Sequence, residues 1–206
     1  MSEVLNGLMK LDKKMAEPVI KMLSRAFWKY PLLTHFFPDE SRRQAVAESV
    51  LAMPVYTCLH YGEVYVTSPG LEGAAAWTPS KNYPVSLWGL IRTVPVKYIM
   101  GMSGAARMQS VDRLLNDIHR RLVPYPHYYL EILGVEPEHQ KKGFSSKLMK
   151  PMLQRLDRQK MDCFLETQDP QDVAIYQHFG FEIMEKSEIP DTPLVSWAML
   201  RKSNRK

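Results

Sequence analysis

A chain of 206 residues can bury one core, or at most two small ones. With 45% apolar and 24% charged residues it has the make-up of a globular protein, and a net charge of +5 spread along the chain leaves no footprint for nucleic acid. No leader and no apolar span of about 18 residues stand out, which sets the expectation of a cytoplasmic protein with no membrane partner. Cys58 and Cys163 lie far apart without metal-ligand spacing, so buried reduced thiols are expected and no metal.

After a polar start, Met15, Val19, Met22, Leu23, Ala26 and Phe27 recur at steps of three and four. That spacing predicts an amphipathic helix with Pro18 in its first turn. The aromatic-dense WKYPLLTHFFPD reads as a loop. Asp39 predicts the cap of a second helix with Ala45, Val46, Ser49, Val50 and Met53 on one side, which Pro54 kinks or ends. EVYVT and LEGAAAWT predict a hairpin around Ser68-Pro69-Gly70. Gly73 and three alanines leave the second strand little bulk, for close packing under a helix or for room beside Trp77. Residues 79–126 carry helical patterns, one marked by Met108, Val111, Leu115, Ile118 and Leu122, as packing or as an adaptable pocket wall. Without repeats or a linker, residues 1–206 read as one domain with a helical insertion at 79–126.

From Tyr125 onward the elements alternate. YYLEILGV and CFLET read as strands, 144–159 and 171–179 as helices, EIMEKSEI and LVSWAML as final strands. This predicts an α/β (α+β) fold, a mixed sheet with helices on both faces. Pro151 should cost the first of these helices one backbone hydrogen bond. The informative stretch is LGVEPEHQKKGFSSKLM, residues 133–149: a strand end, a turn with Gly143, and a helix start. A helix start offers unpaired amides and a positive dipole end, so an anion can dock there. Lys141, Lys142 and Lys147 add positive charge. The spacing fits neither G-x-x-x-x-G-K-[ST] nor G-x-G-x-x-G.

LGVEPEHQKKGFSSKLM resembles the acyl-coenzyme A signature of the GCN5-related N-acetyltransferase (GNAT) superfamily, L-G-V-x-P-x-x-Q-x-x-G-x-G/A. CFLETQDPQDVAIYQHFGFEI is similar to that superfamily's next strand, helix and Gly-Phe ending. Within it, HYYLEILGV, FLET and IYQHFGF resemble the puromycin N-acetyltransferase branch, which also has a proline at position 151. The resemblance is strong over about residues 127–201 and general before them. It implies a mostly antiparallel central sheet with a splayed strand pair. Acetyl-coenzyme A (acetyl-CoA) is the implied cofactor. Backbone groups of Leu133, Gly134 and Val135 would meet its pantetheine arm and acetyl carbonyl. Gln140, Lys141, Lys142, Gly143, Phe144, Ser145 and Ser146 would surround the pyrophosphate, with Thr167 and Asp172 at the cofactor's other side. Two departures stand out. Ser145 replaces a usual glycine or alanine. Asp172 replaces a common asparagine, bringing a negative charge to the cofactor or serving as a helix cap.

The resemblance places Tyr176 opposite the cofactor sulphur, as the acid that protonates the leaving thiolate; without it, the residue is a packing tyrosine. Glu131, inside an apolar strand and four residues before Val135, is expected on the same side of the pleat. It is the base for the amine or a structural hydrogen-bond partner. His127 and His60 are weaker candidates for the base. Trp28, Tyr30, Phe36, Phe37, Trp77 and Trp88 are an aromatic slot for the acceptor, or core. The implied activity is acetyl transfer by direct attack in a ternary complex, to a primary amine of a small molecule. A peptide or protein amine is the second possibility and a non-catalytic CoA-binding sensor the third. A monomer or a homodimer suits each.

Overall fold

The computed structural model describes residues 5, 7–101 and 108–204, the side chains of 100 and 101 apart. Seven strands form one sheet: β1 (Met9–Lys10), β2 (Glu63–Val66), β3 (Gly73–Pro79), β4 (His127–Val135), β5 (Asp162–Thr167), β6 (Glu182–Glu188) and β7 (Val195–Arg201). Their order is β1-β2-β3-β4-β5-β7-β6, antiparallel throughout except for the parallel pair β4 and β5. The mixed, mostly antiparallel sheet is the one expected.

Helix α1 (Ala16–Ala26) and helix α3 (Glu40–Tyr61) cover one face. They bury Val19, Leu23, Ala52 and Val55 against Ala74, Ala76 and Ile132. Helix α7 (Phe144–Arg158) covers the other, where Leu148, Met152 and Leu156 meet Tyr65, Ala75 and Trp77. The small residues of β3 therefore serve close packing on both faces. Helices α4 (Leu87–Thr93), α5 (Val96–Gly101) and α6 (Gln109–Leu122) lie between β3 and β4, and α8 (Pro170–His178) follows β5.

Three local expectations are corrected. The stretch around Tyr30 is not a plain loop. Pro31 opens a short helix, α2 (Pro31–Phe36), because its fixed φ suits the first helical position. Pro54 does not end α3, which runs on to Tyr61; it removes only the amide that would bond the Val50 carbonyl. The buried side of α3 is set by Ala47, Leu51, Ala52, Val55 and Cys58, whereas Ala45 is exposed. Asp39 does cap α3, accepting from the Ser41 amide at 3.0 Å. Helix α7 continues through Pro151. Among the described residues no helix is long and apolar enough to cross a membrane.

Two irregularities of β4 position everything that follows. β4 pairs with β5 only through His127, Tyr128 and Tyr129, and beyond Tyr129↔Phe164 the two strands part. On its other side, Ala76 faces Ile132 and Trp77 faces Leu130, so Glu131 is an extra residue in a β-bulge.

Candidate active site

Where β4 and β5 part, a groove of about 650 Å³ opens between the end of α1, the end of β4, the start of α7 and α8. Leu133, Gly134 and Val135 form one wall. The gap-facing backbone of this part of β4 has no strand opposite it, so its polar groups are available to a ligand. Lys141, Phe144 and Ser145 form the second wall. Gly143 is the N-cap of α7 at φ 85°, and no side chain caps the helix. The amides of Phe144, Ser145 and Ser146 therefore lack intrahelical partners at the positive end of a fifteen-residue helix. Gln140 lines the groove too and donates its side-chain amide to the Val135 carbonyl at 3.3 Å. Lys142 is exposed in the turn.

Gly134 has a second reason to be glycine. A Cβ there would lie 2.4 Å from Leu23 Cδ2 and 3.0 Å from Phe27 Cε2, so α1 crosses β4 where β4 has no side chain.

Tyr176 and Asp172 close the groove from α8. Burial raises the Tyr176 hydroxyl well above its usual pKa of 10, with the Asp172 carboxylate adding to the effect. The phenol is thus a proton donor over the neutral range. Burial likewise lifts Asp172 from 3.8 to about 6, and nearby Asp169 adds to this; Thr167 donates to Asp172 at 3.3 Å. The helix cap is Asp169, which accepts from the Gln171 amide at 2.9 Å; Asp172 stands inside the first turn.

A separate cavity of about 360 Å³ lies on the α3 side of β4, between α3, α4 and α6. Glu131 lines it. The expectation that Glu131 shares a side with Val135 is corrected by the bulge. Val135 points toward Leu148 of α7, while Glu131 points toward α3, where the Cys58 thiol donates to Oε1 at 3.3 Å. Burial raises Glu131 above 4.5, partly offset by hydrogen bonds from Thr78 and Cys58.

The two cavities share β4 as a wall, with Glu131 and Leu133 two residues apart, roughly 6–7 Å along a strand. Residues 96–181 match the Acetyltransferase (GNAT) family. Over that stretch the chain is similar to GNAT acetyltransferases. Solved structures agree on the fold. An acetyltransferase from Corynebacterium glutamicum, described with the histone acetyltransferase HPA2, is 16% identical with a TM-score of 0.65 over 97% of each chain. The ribosomal-protein-S18-alanine N-acetyltransferase of Escherichia coli is 13% identical at TM-score 0.52, over 97% of this chain and 94% of its own. A mosquito arylalkylamine N-acetyltransferase-like protein is 12% identical at 0.53, over 95% and 98%.

In this chain the expected aromatic slot is not assembled. Trp77 is fully buried in the core under α7, Trp88 is 76% exposed on α4, and Phe36 packs in a cluster around Val111 and Ile189. Phe37 caps the end of α2. Trp28 and Tyr30 line the groove at the splay, not the cavity holding Glu131. Tyr30 is a strut: its hydroxyl donates to Gln168 Oε1 at 3.0 Å and accepts from the Gln168 amide at 2.9 Å. His127 is buried with both nitrogens engaged. Nδ1 donates to the Tyr125 carbonyl at 2.6 Å, and Nε2 lies 2.7 Å from His119 Nε2. His60 is exposed against the Tyr61 ring.

Sequence reasoning missed a second carboxylate. Glu166 of β5 interacts with Glu131 and with Tyr129; burial lifts it from 4.5 to about 8, and its Oε2 has no hydrogen-bond partner. The signal was present, since CFLET is another apolar strand with one glutamate inside it. Thr57, Tyr83, Tyr129 and Asp112 are the other polar residues lining the cavity that holds Glu131, and Glu166 stands outside that lining.

Proposed function

We propose that the protein transfers the acetyl group of acetyl-CoA to a primary amine of a small molecule, by direct attack in a ternary complex. The observation that carries this reading is the pair of cavities divided by β4, one edged by an uncapped helix start and the other by a buried carboxylate.

GNAT acetyltransferases use acetyl-CoA, and the groove fits it. The open space at Gly143, the free amides of Phe144 to Ser146 and the Lys141 side chain suit a diphosphate. The unpaired edge of β4 at Leu133 suits an amide-bearing arm. Thr167 supports this site through Asp172. When bound, acetyl-CoA supplies the acyl group and a leaving thiolate.

Glu131 acts on the acceptor. An alkylammonium of pKa about 10.4 must lose its proton, which costs roughly 4.6 kcal/mol at pH 7. A carboxylate made more basic by burial recovers part of that cost and keeps the proton off the nucleophile. Tyr176 holds the proton for the thiolate, which would otherwise leave as an anion in a low-dielectric groove.

A cavity of about 360 Å³ is at the small end for ligand sites, which supports a small acceptor over a folded protein surface. The Escherichia coli enzyme's name specifies a ribosomal-protein alanine, so this fold alone does not choose the acceptor. The puromycin branch rests on the stretches HYYLEILGV, FLET and IYQHFGF. The test is thiol release over a panel of primary amines, paired with calorimetric titration of acetyl-CoA. Turnover on a small amine supports the reading. Cofactor binding without turnover on any small amine or peptide overturns it in favour of a sensor.

A further inference from the structure

The cavity beside Glu131 has a charge pattern that one amine does not satisfy. Its inner end holds Glu131, with Glu166 on the neighbouring strand behind Tyr129. Oε2 of Glu166 is buried with no hydrogen-bond partner, although Glu166 itself does not line the cavity. At the mouth stands Asp112, in the first turn of α6 and exposed. Its carboxylate has no hydrogen bond or ion pair among the described residues. Apart from the two acids the wall is mostly apolar, with Met53, Val85, Leu90 and Met108 beside the hydroxyl-bearing Thr57, Tyr83 and Tyr129. It also holds Val50 and Pro54, where the helix carbonyl of Val50 has lost its donor. Among the described residues no lysine or arginine lines the cavity.

We infer that this cavity takes a dication: a primary ammonium at the inner end, a second cationic group at the Asp112 rim, and an apolar spacer between. The inference rests on the acceptor role given to the cavity above and names the acceptor's class. An acceptor with one charge leaves the rim carboxylate unmatched. One bearing a carboxylate or phosphate meets acids at both ends and no counter-ion. A diamine with an alkyl spacer matches acid, apolar wall and acid in turn.

The test compares cadaverine with n-pentylamine, which match in length and differ in the second ammonium. The kcat/KM ratio of diamine to monoamine is expected near tenfold at low salt. A factor of about two of that is statistical, and the rest is the yield of one exposed ion pair. Asp112→Asn should bring the ratio down to about two, Asp112→Lys below one, and raised ionic strength should shrink it in the native enzyme. A native ratio of two or less, or one unmoved by Asp112→Asn, overturns the inference. Calorimetric titration of the same two amines into the CoA-bound protein reads the preference without turnover. A diamine preference in binding but no acetylation would keep this inference and remove the catalytic reading. Acetylation without the preference would do the reverse.

Discussion

Glu131 accepts a hydrogen bond from the Cys58 thiol across 3.3 Å, joining β4 to a helix that follows none of the strand's own alternation. The contact exists because β4 holds one residue more than β3 between Ala76 and Trp77. That extra residue turns a carboxylate out of the α7 core and into the cavity on the α3 side. It also leaves the thiol in service as a donor, since burial and the nearby Glu131 charge hold Cys58 well above 9.

Replacing Glu131 with Gln keeps the volume and removes the proposed base. The expected result is a fall in kcat/KM of about 10²–10³, measured by thiol release at saturating acetyl-CoA. Burial raises the Glu131 pKa, so on the proposed role the native protein should lose activity as pH falls through that raised value. The variant should lack that acidic limb. An unchanged profile with a lowered melting temperature would assign Glu131 a structural role.

Glu166 gives a stability prediction with a defined sign. Folding raises its pKa from 4.5 to about 8, chiefly by burial, so the native state holds a proton that the unfolded chain releases. The associated stability is fully present below about pH 4.5 and is lost as pH climbs through about 8. In Glu166→Gln that slope disappears. Melting temperatures of the two proteins should be close at pH 5 and separate by a few degrees at pH 9, the variant being the more stable.

Two glycines separate packing from backbone strain. Gly134→Ala drives a methyl into Leu23 and should cost about 1–3 kcal/mol. Adding Leu23→Ala should relieve that clash while opening a separate cavity, so the two changes combine non-additively in denaturant titrations. Gly143→Ala meets open space, yet must hold φ near 85°. It should cost about 1 kcal/mol and weaken acetyl-CoA binding, because the turn that frees the α7 amides is reshaped.

Tyr176→Phe removes one hydroxyl from the groove wall. If that hydroxyl protonates the thiolate, kcat drops by about 10²-fold while the Kd for acetyl-CoA moves little. A matched loss in both, or in stability alone, points to packing by a ring that is already 92% buried.

The groove at the splay was legible because it is local. A strand end, a glycine turn and a helix start lie within residues 133–149, and Gly134 and Gly143 each have a steric or backbone reason. The cavity holding Glu131 was not, since α3, α4, α6 and β4 contribute to it from positions 50 to 131. Alternation within YYLEILGV assigned Glu131 to the wrong side because a bulge is a property of two strands, absent from either one's sequence. Trp77 and Trp88 misled for a related reason. Aromatic type does not say whether a side chain is core, as Trp77 is, or surface, as Trp88 is. Asp112 and Glu166 were visible residues whose nearness to Glu131 or its cavity only the fold creates.

The split between β4 and β5 has its two lips held from one helical hairpin. Leu23 of α1 seats on Gly134 at one lip, and Tyr30, at the entry to α2, is fastened to Gln168 at the other. The gape is thus spaced by a brace lying across it and not by the strands. Shortening or lengthening a side chain at Leu23 or Tyr30 adjusts that gape with every strand pairing intact. On the proposed function, the length of acyl chain admitted then becomes a property of the brace, tunable apart from the residues proposed to do the chemistry.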